Sequence, residues 1–207
     1  MNYGLAYAIG FHPWEDLAEH PPFADKLLEL IAREEAGCEP PYGPALDVGT
    51  GSGVWAVQLA RRGWSVTGVD LVDKALRRAR DRADQAEVEI RLVRGDVTAL
   101  RRSDVGSGFR LVLDTGTFHG LSDGERRTMA LEVGAIAAPD ATVVLDCFAP
   151  GRRGPLPRGA SRADVEASFV GWTVTDVEVA DSERDALARL FRFDERFYRL
   201  RRSGSDG

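Results

Sequence analysis

Lysine is almost missing from this chain: of its 27 basic residues only Lys26 and Lys74 are lysine. That bias reflects coding-sequence base composition rather than function. Positive charge is also short, since 33 acids leave a formal charge of −6. No broad basic face follows, which argues against duplex nucleic acid as a partner because phosphate binding is largely cationic. Cysteine occurs twice, at Cys38 and Cys147. Two residues make no disulfide framework, and neither has metal-ligand neighbours at zinc spacing, so no metal is expected. Both read as small buried hydrophobes in a reducing cytosol. No apolar run reaches the length of a membrane span, so no membrane partner is expected. The first residues lack the basic start and apolar core of a secretory signal. A cytoplasmic location is the expectation. Neither repeats nor low-complexity segments occur.

What remains is 207 residues, 43% apolar and 29% charged, enough for one domain with a substantial core. The organising stretch runs from Ala45 to Trp55. Ala45–Val48 reads as a buried strand, Gly49, Gly51 and Gly53 as a turn, and Val54–Arg62 as a helix. A strand, a glycine turn and a helix N-terminus present backbone N–H groups and a positive dipole end to a nucleotide-like ligand. Asp70 ends the next strand, Ser65–Val69, where a carboxylate suits a ribose diol.

The rest of the chain alternates strands and helices. An amphipathic helix is expected over 23–36, with Phe23, Leu27, Leu30 and Ile31 on one face. A charged helix over 73–86 turns Leu76, Ala79 and Ala83 inward, leaving Arg77, Arg78, Arg80 and Arg82 to solvent. Strands follow at 88–93, 110–114 and 142–148. Ser122 and Glu125 form a capping box for a helix to Ala138, stopped by Pro139-Asp140, and Ser161 caps a short one. Segments 172–179 and 191–200 read as a closing antiparallel pair. The expected fold class is α/β: a doubly wound, mostly parallel, seven-stranded Rossmann-like sheet ending in that pair. The expected division is an N-terminal lid segment over 1–22, rich in aromatic residues, one domain over 23–202, and a frayed tail over 203–207.

An acid stands at four consecutive strand ends: Asp47, Asp70, Asp96 and Asp114. Ligands of doubly wound sheets sit at that edge. A dinucleotide fingerprint places its third glycine where Val54 stands. The run Asp47-Val48-Gly49-Thr50-Gly51-Ser52-Gly53 instead resembles the D-x-G-x-G-x-G motif of class I S-adenosylmethionine-dependent methyltransferases. Asp114-Thr115-Gly116-Thr117-Phe118-His119 is similar to the D-x-G-x-F-H stretch of the small-molecule branch that includes thiopurine and tellurite-resistance methyltransferases. Thr117 departs from the cysteine common there.

The resemblance implies S-adenosyl-L-methionine as cofactor and a small-molecule acceptor. It assigns Asp47, Gly49, Thr50, Gly51 and Gly53 to the amino-acid end, Asp70 and Leu71 to ribose and adenine, and Asp96 and Val97 to the adenine edge. Asp114 and Thr115 fall to the ammonium; separately, Trp14 of the aromatic-rich lid segment is the candidate wall over the cofactor. His119 is the candidate proton acceptor, with Phe118 and Arg152 beside the acceptor and Arg153 and Arg158 at the same rim. An NAD-dependent oxidoreductase and a non-catalytic S-adenosylmethionine-binding module remain as alternatives.

Overall fold

The computed structural model describes residues 21–151, 157–179 and 195–203. The elements in order are helix α1 (Pro21–Glu35), strand β1 (Gly43–Val48), α2 (Val54–Arg62), β2 (Trp64–Asp70), α3 (Asp73–Gln85), β3 (Ile90–Arg94), β4 (Phe109–Thr115), α4 (Asp123–Ile136), β5 (Ala137–Phe148), α5 (Arg162–Ser168), β6 (Trp172–Val179) and β7 (Glu195–Arg202). Short 3-10 turns at Val97–Arg102 and Phe118–Gly120 follow β3 and β4. The seven strands form one sheet in the order β3-β2-β1-β4-β5-β7-β6. The first five are parallel, and β7 runs antiparallel to both β5 and β6. The expected doubly wound sheet with its antiparallel closing pair is the observed one.

Alternation along the strands divides the core between two faces. Ala45, Leu111, Leu113, Val144 and Phe197 face α1 and α2, where Phe23, Leu27, Leu30, Ile31, Trp55 and Leu59 cover them. Leu46, Val48, Val112, Val143 and Leu145 point the other way, against Phe118, Met129, Val133 and Phe169. Both expected caps form: Ser122 with Glu125, and Ser161 with Asp164.

Three expectations need correction. Pro139 and Asp140 do not end a helix; α4 stops at Ile136 and they lie inside β5. The β4–β5 register jumps from Phe109↔Ala137 to Leu111↔Thr142, and a proline fits that bulge because no ladder donor is required of it. Cys38 is exposed in the loop after α1, whereas Cys147 is buried in β5 as expected. Arg82 is not simply solvated, because its Nε donates to the Ser52 carbonyl at 3.1 Å and ties α3 to the glycine turn. The expected strand over 191–200 is described only from Glu195, so residues 191–194 lie outside the described residues.

Candidate functional site

The glycine turn leaves β1 at Val48 and enters α2 at Gly53. Gly49, Gly51 and Gly53 have φ of 67°, 55° and 78°, the left-handed region where a side chain costs strain. Two neighbours also press on the turn. A Cβ on Gly49 would overlap Thr117 Oγ1, and one on Gly53 would stand 2.9 Å from Ala79 Cβ in α3. Thr117 Oγ1 itself donates to the Val48 carbonyl at 3.3 Å. The turn is therefore clasped between the loop after β4 and helix α3.

Each of the four strand-end acids helps to shape its own loop. Asp47 is buried and accepts from Thr50 Oγ1 at 2.6 Å. Burial pushes its carboxyl up to about 6, even though Thr50 and the Ala56 N–H both favour the charged form. Asp70 bridges the turn: Oδ2 accepts the Gly51 N–H at 2.9 Å and Oδ1 the Val72 N–H at 2.8 Å. Its desolvation raises its pKa above the ordinary carboxylate value. Asp96 stays exposed and caps the 3-10 turn, with Oδ1 accepting from the Thr98 N–H and hydroxyl at 2.8 and 2.7 Å. Asp114 is fully buried. Its Oδ1 accepts the N–H groups of Gly116 and Thr117 at 3.0 and 2.7 Å, and Oδ2 accepts that of Phe118 at 3.0 Å. Burial nevertheless takes its pKa up to about 7.

Strand alternation separates these acids by face. Asp47 pairs with Leu113 and lies on the α1–α2 side, whereas Asp114 pairs with Val48 and Leu145 and turns to the opposite side. The Asp114 side chain is therefore a loop-builder on the far face. Of that strand end, Thr115 lies on the near face, next to Asp146 in register. Leu71, directly after Asp70, is 61% exposed, an apolar surface held out at the β2 edge. Val97 opens the 3-10 turn that Asp96 caps.

Three further expectations change. Phe118 does not line an open site; it is wholly buried, 5.7 Å from the Phe169 ring and under the Arg126 guanidinium. His119 is not placed as a base. Its Nδ1 accepts the Phe148 N–H at 3.0 Å, so in the neutral ring the proton sits on Nε2, and the ring stacks on Phe148 at 4.6 Å. The lone pair a base needs is already committed to holding the loop. Arg158 is half-exposed but engaged, because it donates to the Leu121 carbonyl at 3.0 Å and pairs with Asp123. Trp14, Arg152 and Arg153 lie outside the described residues, as does the lid segment apart from Pro21 and Pro22, which already open α1.

Several residues of the site beyond Asp47 escaped the sequence reading. Asp47 Oδ1, Ser52 Oγ and Trp55 Nε1, on residues in or beside the glycine turn, are buried with no hydrogen-bond partner. Asp146 and Glu195 are buried at the same edge, on β5 and β7, each with a carboxyl oxygen lacking a partner. Arg126 is buried on α4 and donates to the carbonyls of Phe118 at 3.0 Å, His119 at 2.8 Å and Gly159 at 2.5 Å. It staples the loops after β4 and β5 together. Among these, Asp146 carried a readable signal, a charge inside the apolar run Thr142–Phe148 at a fifth strand end.

Residues 45–140 match the family described as "Methyltransferase domain". An uncharacterised methyltransferase of Mycobacterium tuberculosis is 34% identical over 124 residues, 60% of this chain and 57% of the relative's length. The chain thus spans less than two thirds of that relative. A 2-heptyl-1-hydroxyquinolin-4(1H)-one methyltransferase of Mycobacteroides abscessus is 27% identical over 178 residues, 80% of this chain and 74% of that one. Among solved structures, the 1,6-didemethyltoxoflavin-N1-methyltransferase of Burkholderia thailandensis superposes with a TM-score of 0.73 at 20% identity, covering 98% of this chain and 86% of that one. Over residues 45–140 this chain is thus similar to methyltransferase domains, and its seven-stranded fold is that of the B. thailandensis methyltransferase.

Proposed function

We propose that the chain transfers a methyl group from S-adenosylmethionine to a small-molecule acceptor. The observation that carries this reading is the trio of buried, unpartnered polar atoms at the glycine turn: Asp47 Oδ1, Ser52 Oγ and Trp55 Nε1. Leaving such a group unsatisfied costs about 1–3 kcal/mol, a penalty native folds carry where a ligand completes the bonding. The trio offers an anionic acceptor, a hydroxyl and a donor at the N-terminus of α2. That set fits the ammonium and carboxylate of an amino-acid tail.

The remaining groups fit the rest of the cofactor. Asp70 holds the Gly51 N–H and sits where a ribose diol would add donors to its carboxylate. Leu71 presents exposed apolar surface for one face of an adenine. Asp96 and the Val97 N–H stand at the next strand end, where an adenine edge needs an acceptor and a donor. Gly49, Gly51 and Gly53 let backbone approach the ligand without a Cβ between. The cofactor, when bound, supplies a methyl carbon already activated by a sulfonium. What the protein must add is position and the exclusion of water. The acid-lined edge suits a cationic cofactor that becomes neutral at sulfur. Proton removal by His119 is not part of this reading, since its acceptor nitrogen is engaged by Phe148.

M. abscessus relative and B. thailandensis neighbour are named for heterocyclic small molecules, which supports an acceptor of that size. The test is calorimetry of the protein with S-adenosylhomocysteine, without added metal. Binding is expected, and Asp70→Ala should weaken it by ~1–3 kcal/mol through lost charge-assisted hydrogen bonds. Transfer is then read as S-adenosylhomocysteine formed with a panel of thiols, phenols, amines and tellurite. Binding of NADH with no binding of the sulfur nucleotide would overturn the proposal, and cofactor binding with no transfer to any acceptor would reduce it to a binding module.

A further inference from the structure

The carboxyl edge of the sheet holds a second set of buried polar atoms, separate from the glycine turn. Asp146 lies in β5 beside Thr115 of β4, and Glu195 begins β7 opposite Phe148. Both are 4% exposed. Alternation places them on one face: Asp146 follows Val144, and Glu195 precedes Phe197, both in the layer beneath α1 and α2. Asp146 Oδ1 and Glu195 Oε1 are without partners, and neither side chain makes a hydrogen bond or ion pair among the described residues. The charges acting on Asp146 are those of Glu195 and Asp114, both acids.

Two carboxyls buried side by side with nothing to bond are expensive to keep. Burial raises Glu195 to about 7, and burial together with the charges of Glu195 and Asp114 raises Asp146 well above the ordinary range. A structural role would have supplied an arginine or a backbone N–H, as it does for Glu34, Glu35 and Glu132 elsewhere in this fold. A metal centre is not the natural occupant either, because no group of three or more His, Cys, Asp or Glu among the described residues is placed to hold an ion.

We propose that Asp146 and Glu195 form the subsite that anchors the methyl acceptor, and that the group they take is a cationic nitrogen, such as an ammonium or amidinium. This rests on the methyltransferase reading and names the acceptor class it left open. Location separates the pair from the unpartnered atoms at the glycine turn. Asp47 is on β1 and Asp146 on β5, two strand spacings away, or ~10 Å; Glu195 is one strand further. The pair stands past Thr115, on the far side of β4 from the glycine turn. Binding releases a proton: the carboxylic acid and the cation become a carboxylate–cation pair and the proton passes to the buffer. The anchored nitrogen orients the molecule, and the methyl-accepting atom is another atom of it.

The probes are benzylamine and benzamidine, with benzyl alcohol and benzamide as neutral matches, added to the protein already saturated with S-adenosylhomocysteine. A cationic probe should raise the melting temperature where its neutral match does not. Calorimetry in two buffers of different ionisation enthalpy should show proton release near neutral pH. Asp146→Asn, and Asp146→Asn with Glu195→Gln, should weaken the cationic probe by ~10–100-fold, the loss of charge-assisted hydrogen bonds, while S-adenosylhomocysteine affinity stays within about twofold. Removing buried charge favours folding, so these variants remain measurable. The proposal is overturned if no cationic probe binds, if neutral probes bind equally, or if the effect survives in the double variant. A parallel loss of S-adenosylhomocysteine affinity in Asp146→Asn would assign the pair to the cofactor instead. Failure of S-adenosylhomocysteine to bind the unaltered protein would strike the methyltransferase reading itself, which keeps the two failures distinct.

Discussion

Replacing Gly49 by alanine tests whether the glycine turn is clasped by the loop after β4. Gly49 has φ of 67°, so any side chain there carries left-handed strain of ~1–2 kcal/mol. The new Cβ would also overlap Thr117 Oγ1 and stand 3.2 Å from Thr117 Cβ, an overpacking that adds ~1–3 kcal/mol. Gly49→Ala should therefore destabilise the protein by about 2–5 kcal/mol by these two principles together. Thr117→Ala alone should cost ~0.5–1.5 kcal/mol, since it loses a long hydrogen bond to the Val48 carbonyl. In the double variant the hydroxyl is gone and only the backbone strain and a tight Cβ contact remain. The two effects should then fall short of their sum by ~1–3 kcal/mol, the overpacking term. Urea denaturation of the four proteins, with equal slopes, measures this. Additivity within ~0.5 kcal/mol would refute the reasoning, because it would mean the loop does not touch the turn in solution.

Two further outcomes follow from buried charge. Arg126→Ala should cost ~3–5 kcal/mol in urea denaturation, because it strands the carbonyls of Phe118, His119 and Gly159 and empties a buried site. Asp47 and Asp114 have folded pKa values of about 6 and about 7, against 3.8 as their reference value. The folded state thus holds more protons than the unfolded chain between those values, so the associated stability is full below about pH 4 and is lost as pH rises through about 7. Comparing urea midpoints at pH 5 and pH 8, the fall should be smaller in Asp114→Asn than in the unaltered protein; an equal or larger fall would mean Asp114 ionises normally in the fold.

Much of this architecture was legible in the sequence because local chemistry and tertiary packing agree. Glycines in left-handed conformation bound α2 at both ends, and capping boxes open α4 and α5. Those signals act within a few residues and survive without knowledge of the fold. What was not legible depended on direction. Asp114 and Asp47 look alike in sequence, yet one residue of register sends them to opposite faces of the sheet. His119 and Phe118 read as site residues because they follow a strand end, but Arg126, seven or eight positions away, pulls that loop inward by its carbonyls. Glu195 was hidden by the run of charge and phenylalanine around it, and only its pairing with β5 brings it beside Asp146.

The strand order has a consequence for when the protein becomes complete. β7 lies between β5 and β6, so β6 touches no other strand of the sheet until β7 is inserted. During synthesis the ribosome emits β6 first, and the open edge of β5 waits with its backbone groups unpaired. The segment that closes this gap also delivers Glu195. Sheet closure and assembly of the acid pair are therefore one event, governed by a long-range contact and slow for that reason. A nascent chain that has made its glycine turn therefore still lacks the acid pair two strands away along the same edge.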